Sequence, residues 1–145
     1  MKKEYYTHSA EETRELARRI ARKTPNGTVF TLDGNLGAGK TVFASGFAAG
    51  LGITEPVSSP TFTIVQEYPY AGGMFFHLDL YRIDNTEAAL AFGIDEFLYA
   101  SDAITLVEWP ERIDPKLYPA GTVHVVIERT PAEGERKIVI DGAAE

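Results

Sequence analysis

Lys40 and Thr41 stand side by side behind three glycines, in the run Gly34-Asn35-Leu36-Gly37-Ala38-Gly39-Lys40-Thr41. The spacing is G-x-x-x-x-G-K-[ST], and each fixed position has a task in holding phosphate. Glycine lacks the Cβ that forbids left-handed backbone, so the chain can curl until successive N–H groups face one anion. The lysine ammonium adds a point charge for the outer phosphates. The threonine hydroxyl suits Mg²⁺, a hard cation that prefers oxygen. Gly34, Gly37, Gly39, Lys40 and Thr41 are therefore the residues from which a phosphate site would be built.

A phosphate loop needs an acidic partner for its metal, held at a strand end. Two carboxylates compete. Asp79 follows Phe75-Phe76-His77-Leu78, and Glu108 follows Ile104-Thr105-Leu106-Val107; both runs are apolar enough to be buried strands. Either residue could hold Mg²⁺, directly or through water, while the other orients an attacking water. Thr61, in Ser58-Ser59-Pro60-Thr61-Phe62, follows the loop's helix where switch segments sense a third phosphate. It is a candidate sensor or a plain turn threonine. His77 lies two residues before Asp79 and shares its strand face, as a partner of Asp79 or as a packed histidine. Trp109 is placed at the mouth of the site or in the core, and Arg82 near the phosphates or in a surface ion pair. Ser9 and Thr13 are alternatives between adenine contacts and helix capping. His8 and His124 read as structural.

These residues need a scaffold. Thr28-Val29-Phe30-Thr31-Leu32 predicts a strand entering the loop, and Phe43, Phe47 and Leu51 at spacing four predict a helix leaving it. Ser9 and Glu12 form a capping-box pattern for an earlier helix that runs to about Lys23. Later strands are expected at 61–68, 74–81, 103–107, 122–127 and 137–140, the first two as a hairpin about Ala71-Gly72-Gly73. A short helix is expected from Asn85 to Phe92, stopped by Gly93, with a further turn at 95–98. The pattern gives one α/β domain over 1–145: a P-loop NTPase-like three-layer sandwich with a mixed parallel and antiparallel sheet.

Composition narrows the function. There are no cysteines, which excludes a disulfide frame, a thiolate zinc site and a cysteine nucleophile. With 21 acidic and 14 basic residues the net charge is −7, leaving little surplus to neutralise nucleic-acid phosphates. Strong direct nucleic-acid binding is not expected. No apolar run approaches the ~20 residues of a membrane helix, and no signal-peptide stretch opens the chain, so a cytoplasmic location is expected. The guanine signature Asn-Lys-x-Asp is absent, which favours ATP. A small P-loop kinase is the alternative, but an arginine-rich lid is not visible.

Four motifs together resemble one family: the loop itself, Ser59-Pro60-Thr61-Phe62-Thr63, His77-Leu78-Asp79-Leu80-Tyr81-Arg82 and Val107-Glu108-Trp109-Pro110. In order and approximate spacing they look like the bacterial TsaE (YjeE) family, over nearly the whole chain. That resemblance implies a small Mg-dependent ATPase required for threonylcarbamoyladenosine at tRNA position 37, working with TsaD and TsaB. It implies that 36–41 bind ATP phosphates, that Thr41 with Glu108 holds Mg²⁺, and that Asp79 takes the Walker B place and Thr61 the switch place. Asn35 departs from the aspartate of many relatives, removing a charge near the phosphates. No arginine or glutamine is evident in cis to complete the site. Slow hydrolysis alone and dependence on a partner are therefore expected, with Lys40, Asp79 and Glu108 as the catalytic set.

Overall fold

The computed structural model describes residues 2–35, 37–57 and 64–142. In chain order its elements are β1 (Lys2–Thr7), α1 (Ala10–Arg22), β2 (Val29–Gly34), α2 (Lys40–Gly50), β3 (Val65–Tyr70), β4 (Gly73–Asp79), α3 (Thr86–Phe92), α4 (Ile94–Leu98), β5 (Ala103–Glu108), β6 (Val123–Arg129) and β7 (Arg136–Asp141). The strands form one sheet in the order β1-β7-β6-β2-β5-β4-β3. The middle of the sheet, β6-β2-β5-β4, is parallel. Both edges are antiparallel, β1 and β7 on one side and β3 on the other.

Side-chain alternation builds two cores. Phe30 and Leu32 of β2, Ile104 and Leu106 of β5, and Phe75 of β4 pack with Leu16 of α1 and Phe43 and Phe47 of α2. Val29, Leu78 and Val107 face the other way, against Ala89, Ile94 and Leu98 of α3 and α4. The result is three layers, as the sequence pattern predicts. Every residue of β5 is buried, as expected for a parallel strand covered on both faces. Helices α1 and α2 approach backbone to backbone at Gly46, where any Cβ would overlap the Arg14 carbonyl. That contact fixes α2, and hence its first residue Lys40, over the sheet.

Local chemistry sets the element ends. Ser9 Oγ accepts from Glu12 N at 3.1 Å, the cap of α1. The Glu12 carboxylate reaches back to His8 N at 2.7 Å, one residue earlier than the simple box predicts. Asn85 Oδ1 caps α3 through Ala88 N, and Gly93 closes it in the left-handed region at φ 96°. β3 spans Val65–Tyr70, residues 61–63 of the expected strand lie outside the described residues, and the strand runs on through Pro69, which an edge strand tolerates. β4 ends at Asp79, two residues early, because the Asp79 carboxylate itself accepts from Tyr81 N at 2.9 Å. β1 is an element the sequence reading omits. Among the described residues no helix is long and apolar enough to cross a membrane.

Candidate active site

The site lies at the carboxyl ends of the parallel strands, where β2 gives way to the glycine loop and α2. Gly37 and Gly39 take φ 79° and 110°, left-handed values that a Cβ would strain. Gly39 is the N-cap of α2 and receives no side-chain cap bond. Lys40 is therefore the first helical residue, and the peptide N–H groups of the first turn are left for a ligand, where the helix dipole favours an anion. Leu36 and Thr61, the expected phosphate contact and sensor, lie outside the described residues.

Register and parity bring the two candidate carboxylates together. Asp79 and Glu108 are direct partners across the parallel β4–β5 pair. Glu108 is also opposite Leu32 of β2, two residues before the loop. On β5, Ile104 and Leu106 face α2, so Glu108 does too. On β4, Phe75 faces α2, and so do His77 and Asp79. Both acids are buried, at 5% and 3% exposure, beneath the helix that begins with Lys40 and Thr41. Leu80 N bonds the Glu108 carbonyl at 3.1 Å, tying the two strand ends to each other.

His77 supports Glu108, not the Asp79 that its spacing suggests. Its Nε2 stands 2.6 Å from Glu108 Oε2, with both side chains almost wholly buried. Nδ1 has no hydrogen-bond partner among the described residues. A proton there would be a buried orphan donor, so the geometry favours the ring that carries its proton on Nε2 and donates it to the carboxylate. One oxygen of Glu108 is thus fixed, which leaves Oε1 for a cation. Such an outer hydrogen bond orients a metal-binding carboxylate.

An aromatic wall completes the pocket. Trp109 follows Glu108 at φ 57°, ψ 50°, the one non-glycine residue with positive φ among those described. That conformation costs about 1–2 kcal/mol. It turns the half-buried indole to face the lysine, whose Nζ lies 4.4 Å from the ring centre. Tyr81 packs on Trp109 with centroids 5.0 Å apart, and Arg112 covers both rings at 5.3 and 5.8 Å. Trp109 therefore stands at the site and not in the deep core. Its π-face holds the lysine ammonium by a cation–π contact.

The arrangement fits magnesium with nucleotide phosphates. Two adjacent carboxylates and the hydroxyl of Thr41 are hard oxygen donors. Among the described residues no three His, Cys, Asp or Glu side chains form a metal cage by themselves. Mg²⁺ characteristically uses one or two carboxylates and completes its shell with phosphate oxygens and water. Positive-φ glycines before a helix supply the matching anion cradle.

Other singled-out residues have structural partners. Thr13 is buried against Thr7, with hydroxyls 2.6 Å apart, and Ser9 is the α1 cap. His124 Nδ1 lies 2.6 Å from Thr31 Oγ1, while His8 is exposed beside Glu12 and Glu135. Sequence reasoning missed Arg129 and Arg136, whose side chains touch the loop itself. A cavity of about 190 Å³ beneath α1, lined by Leu16, Arg19, Phe30 and Val123 among others, shares no residue with the loop.

Comparison with known proteins gives matches over most of the chain. The family model described as "Threonylcarbamoyl adenosine biosynthesis protein TsaE" matches residues 7–138. The chain is 42% identical over 132 residues to the tRNA threonylcarbamoyladenosine biosynthesis protein TsaE of Bacillus subtilis, covering 91% of this chain and 80% of that protein. It is 36% identical over 134 residues to the Treponema pallidum protein of the same name, covering 92% and 96%. The crystal structure of Bacillus subtilis YdiB superposes with a TM-score of 0.83 at 35% identity, covering 99% of this chain and 87% of that one.

Proposed function

The chain belongs to the TsaE family, and from that premise we propose that it binds and hydrolyses ATP with Mg²⁺ in the service of threonylcarbamoyladenosine formation at tRNA position 37, acting with TsaD and TsaB. The observation that carries the reading is the side-by-side burial of Asp79 and Glu108 under the helix that Lys40 opens. The Gly37–Gly39 curl and the N-terminus of α2 bind the phosphates, and Lys40 exchanges the Trp109 face for their charge. Thr41 and Glu108 would hold the metal. Bound there, Mg²⁺ would neutralise charge on the β- and γ-phosphate oxygens.

Asp79 orients a water in line with the γ-phosphorus. The new P–O bond forms as the bond to the bridging oxygen breaks, ADP leaves with that electron pair, and the attacking water's proton ends on the released phosphate. Catalysis is positioning plus charge stabilisation. The exposed Tyr81, beside the aromatic wall, gives a partner a surface next to the phosphates. A net charge of −7 favours a protein partner over tRNA as the direct contact, and the protein is expected to work in the cytoplasm.

The test measures phosphate release from Mg-ATP by the chain alone and with TsaD and TsaB. The expected result is slow release alone and a clear acceleration in the complex. ATP binding without phosphate release in either setting would reject the hydrolase reading. Transfer of labelled γ-phosphate to a small acceptor would replace it with a kinase.

A further inference from the structure

We infer that Arg129 and Arg136 are positioning residues that shape the phosphate loop from its outer side before a nucleotide arrives. The inference rests on the reading of the loop as an ATP site. Arg129 ends β6 and Arg136 begins β7, and the two are direct partners across that antiparallel pair. β6 runs parallel to β2, with Ile127 opposite Gly34, the first glycine of the loop. Two further residues along β6 bring Arg129 level with the curl.

The contacts are specific. Arg129 Nη2 and Nε donate to the Gly37 carbonyl at 3.0 and 3.3 Å. Arg136 Nε donates to the Ala38 carbonyl at 2.8 Å. A Cβ built on Gly37 would lie 2.5 Å from Arg129 Nη2, and one on Gly39 3.9 Å from Arg136 Nε. Two successive loop carbonyls are thus held by two guanidinium groups.

Strand stability does not account for this pair. Like charges directly opposite each other on a sheet repel. Neither arginine forms an ion pair with a carboxylate among the described residues. Their placement makes sense as service to the loop. In a planar trans peptide the C=O and the following N–H point to opposite sides. Fixing the Ala38 carbonyl outward therefore fixes the Gly39 N–H on the other side, and fixing Gly37 does the same for Ala38 N–H. Charge-assisted donors bond carbonyls more strongly than neutral ones and polarise the peptide, which strengthens its N–H as a donor. Ala38 N–H meanwhile donates to the Asn35 carbonyl at 2.9 Å, so Ala38 is held at both its N–H and its carbonyl.

A glycine-rich curl loses much conformational freedom when it orders around a ligand. Two anchored carbonyls remove part of that loss in advance, which is pre-organisation. The same two cations, with Lys40, focus positive potential at the loop of a chain whose net charge is −7.

The test titrates the full chain with Mg-ATP and with ADP, and measures steady-state hydrolysis, for wild type, R129Q, R136Q and the double variant. R19Q removes the same charge from the distant α1 cavity and is the control. The expected result is that the double variant loses affinity for ATP and ADP by the same factor, about 10- to 100-fold. KM should rise in step and kcat should fall by less than that factor, while R19Q matches wild type. The exposed R129Q alone keeps the test readable if the double variant is unstable. Variants that bind both nucleotides as wild type does would overturn the inference and leave the ATP reading standing. So would a fall in kcat with ADP affinity unchanged, which would point to contact with the γ-phosphate. An equal loss in R19Q would reduce the effect to long-range charge. A wild-type chain that binds neither nucleotide would overturn the ATP reading and this inference with it.

Discussion

The phosphate loop has two unlike flanks. On the β4–β5 side it meets Asp79 and Glu108, buried and built into parallel strand ends, with His77 bracing Glu108 from within the sheet. On the β6–β7 side it meets Arg129 and Arg136, far more accessible and gripping backbone carbonyls from an antiparallel hairpin. The acidic flank is built into the sheet because desolvated carboxylates need partners, and His77 supplies one for Glu108. The basic flank reaches from the surface because long cationic side chains keep their charge near water. On the proposed reading, the difference teaches that one side of the loop serves chemistry and the other the loop's own shape.

That division can be broken by experiment. Glu108→Gln is expected to lower the turnover of saturating Mg-ATP by about 100- to 1,000-fold, as loss of a charged group at a reacting centre does. Metal-free ADP affinity, read by titration, should barely change. If metal-free ADP affinity fell as far as turnover, the two flanks would not differ in role. His77→Phe keeps the aromatic packing on Phe75, whose ring centre is 6.2 Å from that of His77, but leaves Glu108 Oε2 without its donor. Urea unfolding should show a loss of about 2–3 kcal/mol, and an unmoved midpoint would remove His77 from the acidic flank.

Trp109 sharpens the comparison, because its strained backbone belongs to the acidic flank and its ring reaches Lys40 of the loop. Trp109→Gly and Trp109→Ala lose the same ring. The glycine variant should nevertheless be the more stable by about 1 kcal/mol, since glycine accepts φ 57° without strain. Equal thermal midpoints would show that the αL turn costs nothing here.

The smallest effect concerns the turn that follows. Tyr118 donates its hydroxyl to the Pro110 carbonyl at 2.8 Å, and burial, reinforced by Glu111, pushes its phenol well above the usual value near 10. The folded state keeps that proton at a pH where the unfolded chain releases it. Its contribution is therefore complete below pH ~10 and is lost as pH rises through the folded-state value. Tyr118→Phe should cost about 1 kcal/mol at neutral pH and flatten the loss of stability above pH ~10, measured by denaturation across that range. An unchanged alkaline slope would separate this tyrosine from the turn's stability.

Much of this site was legible in the sequence, for physical reasons. The glycine spacing, the β-branched run before it and the four-residue apolar spacing after it each reflect short-range constraints. Asp79 and Glu108 were legible as the polar ends of apolar runs. What was not legible follows from strand ends. The last strands were expected at 122–127 and 137–140, because Glu128, Arg129 and Arg136 are polar and carry no burial signal. Hairpin pairing extends both strands and places the two arginines beside the loop. β1 was hidden likewise, since Lys2-Lys3-Glu4-Tyr5-Tyr6-Thr7 is an edge strand with one face in water. His77 was left open between a role beside Asp79 on its own strand and a packed histidine, and its partner, Glu108, came from the next strand.

By itself, then, the sequence determined which backbone could curl around phosphate, which helix opened behind it and which acids ended buried strands. These are properties of neighbours along the chain: glycine torsions, side-chain periodicity and capping. Only the tertiary structure decided that β4 lies beside β5 in the register that pairs Asp79 with Glu108, that His77 braces the latter, and that a distant hairpin supplies the loop's two outer anchors. Contacts between residues 31 and 98 positions apart depend on strand order and register, which the packing of the whole sheet fixes and no local pattern encodes.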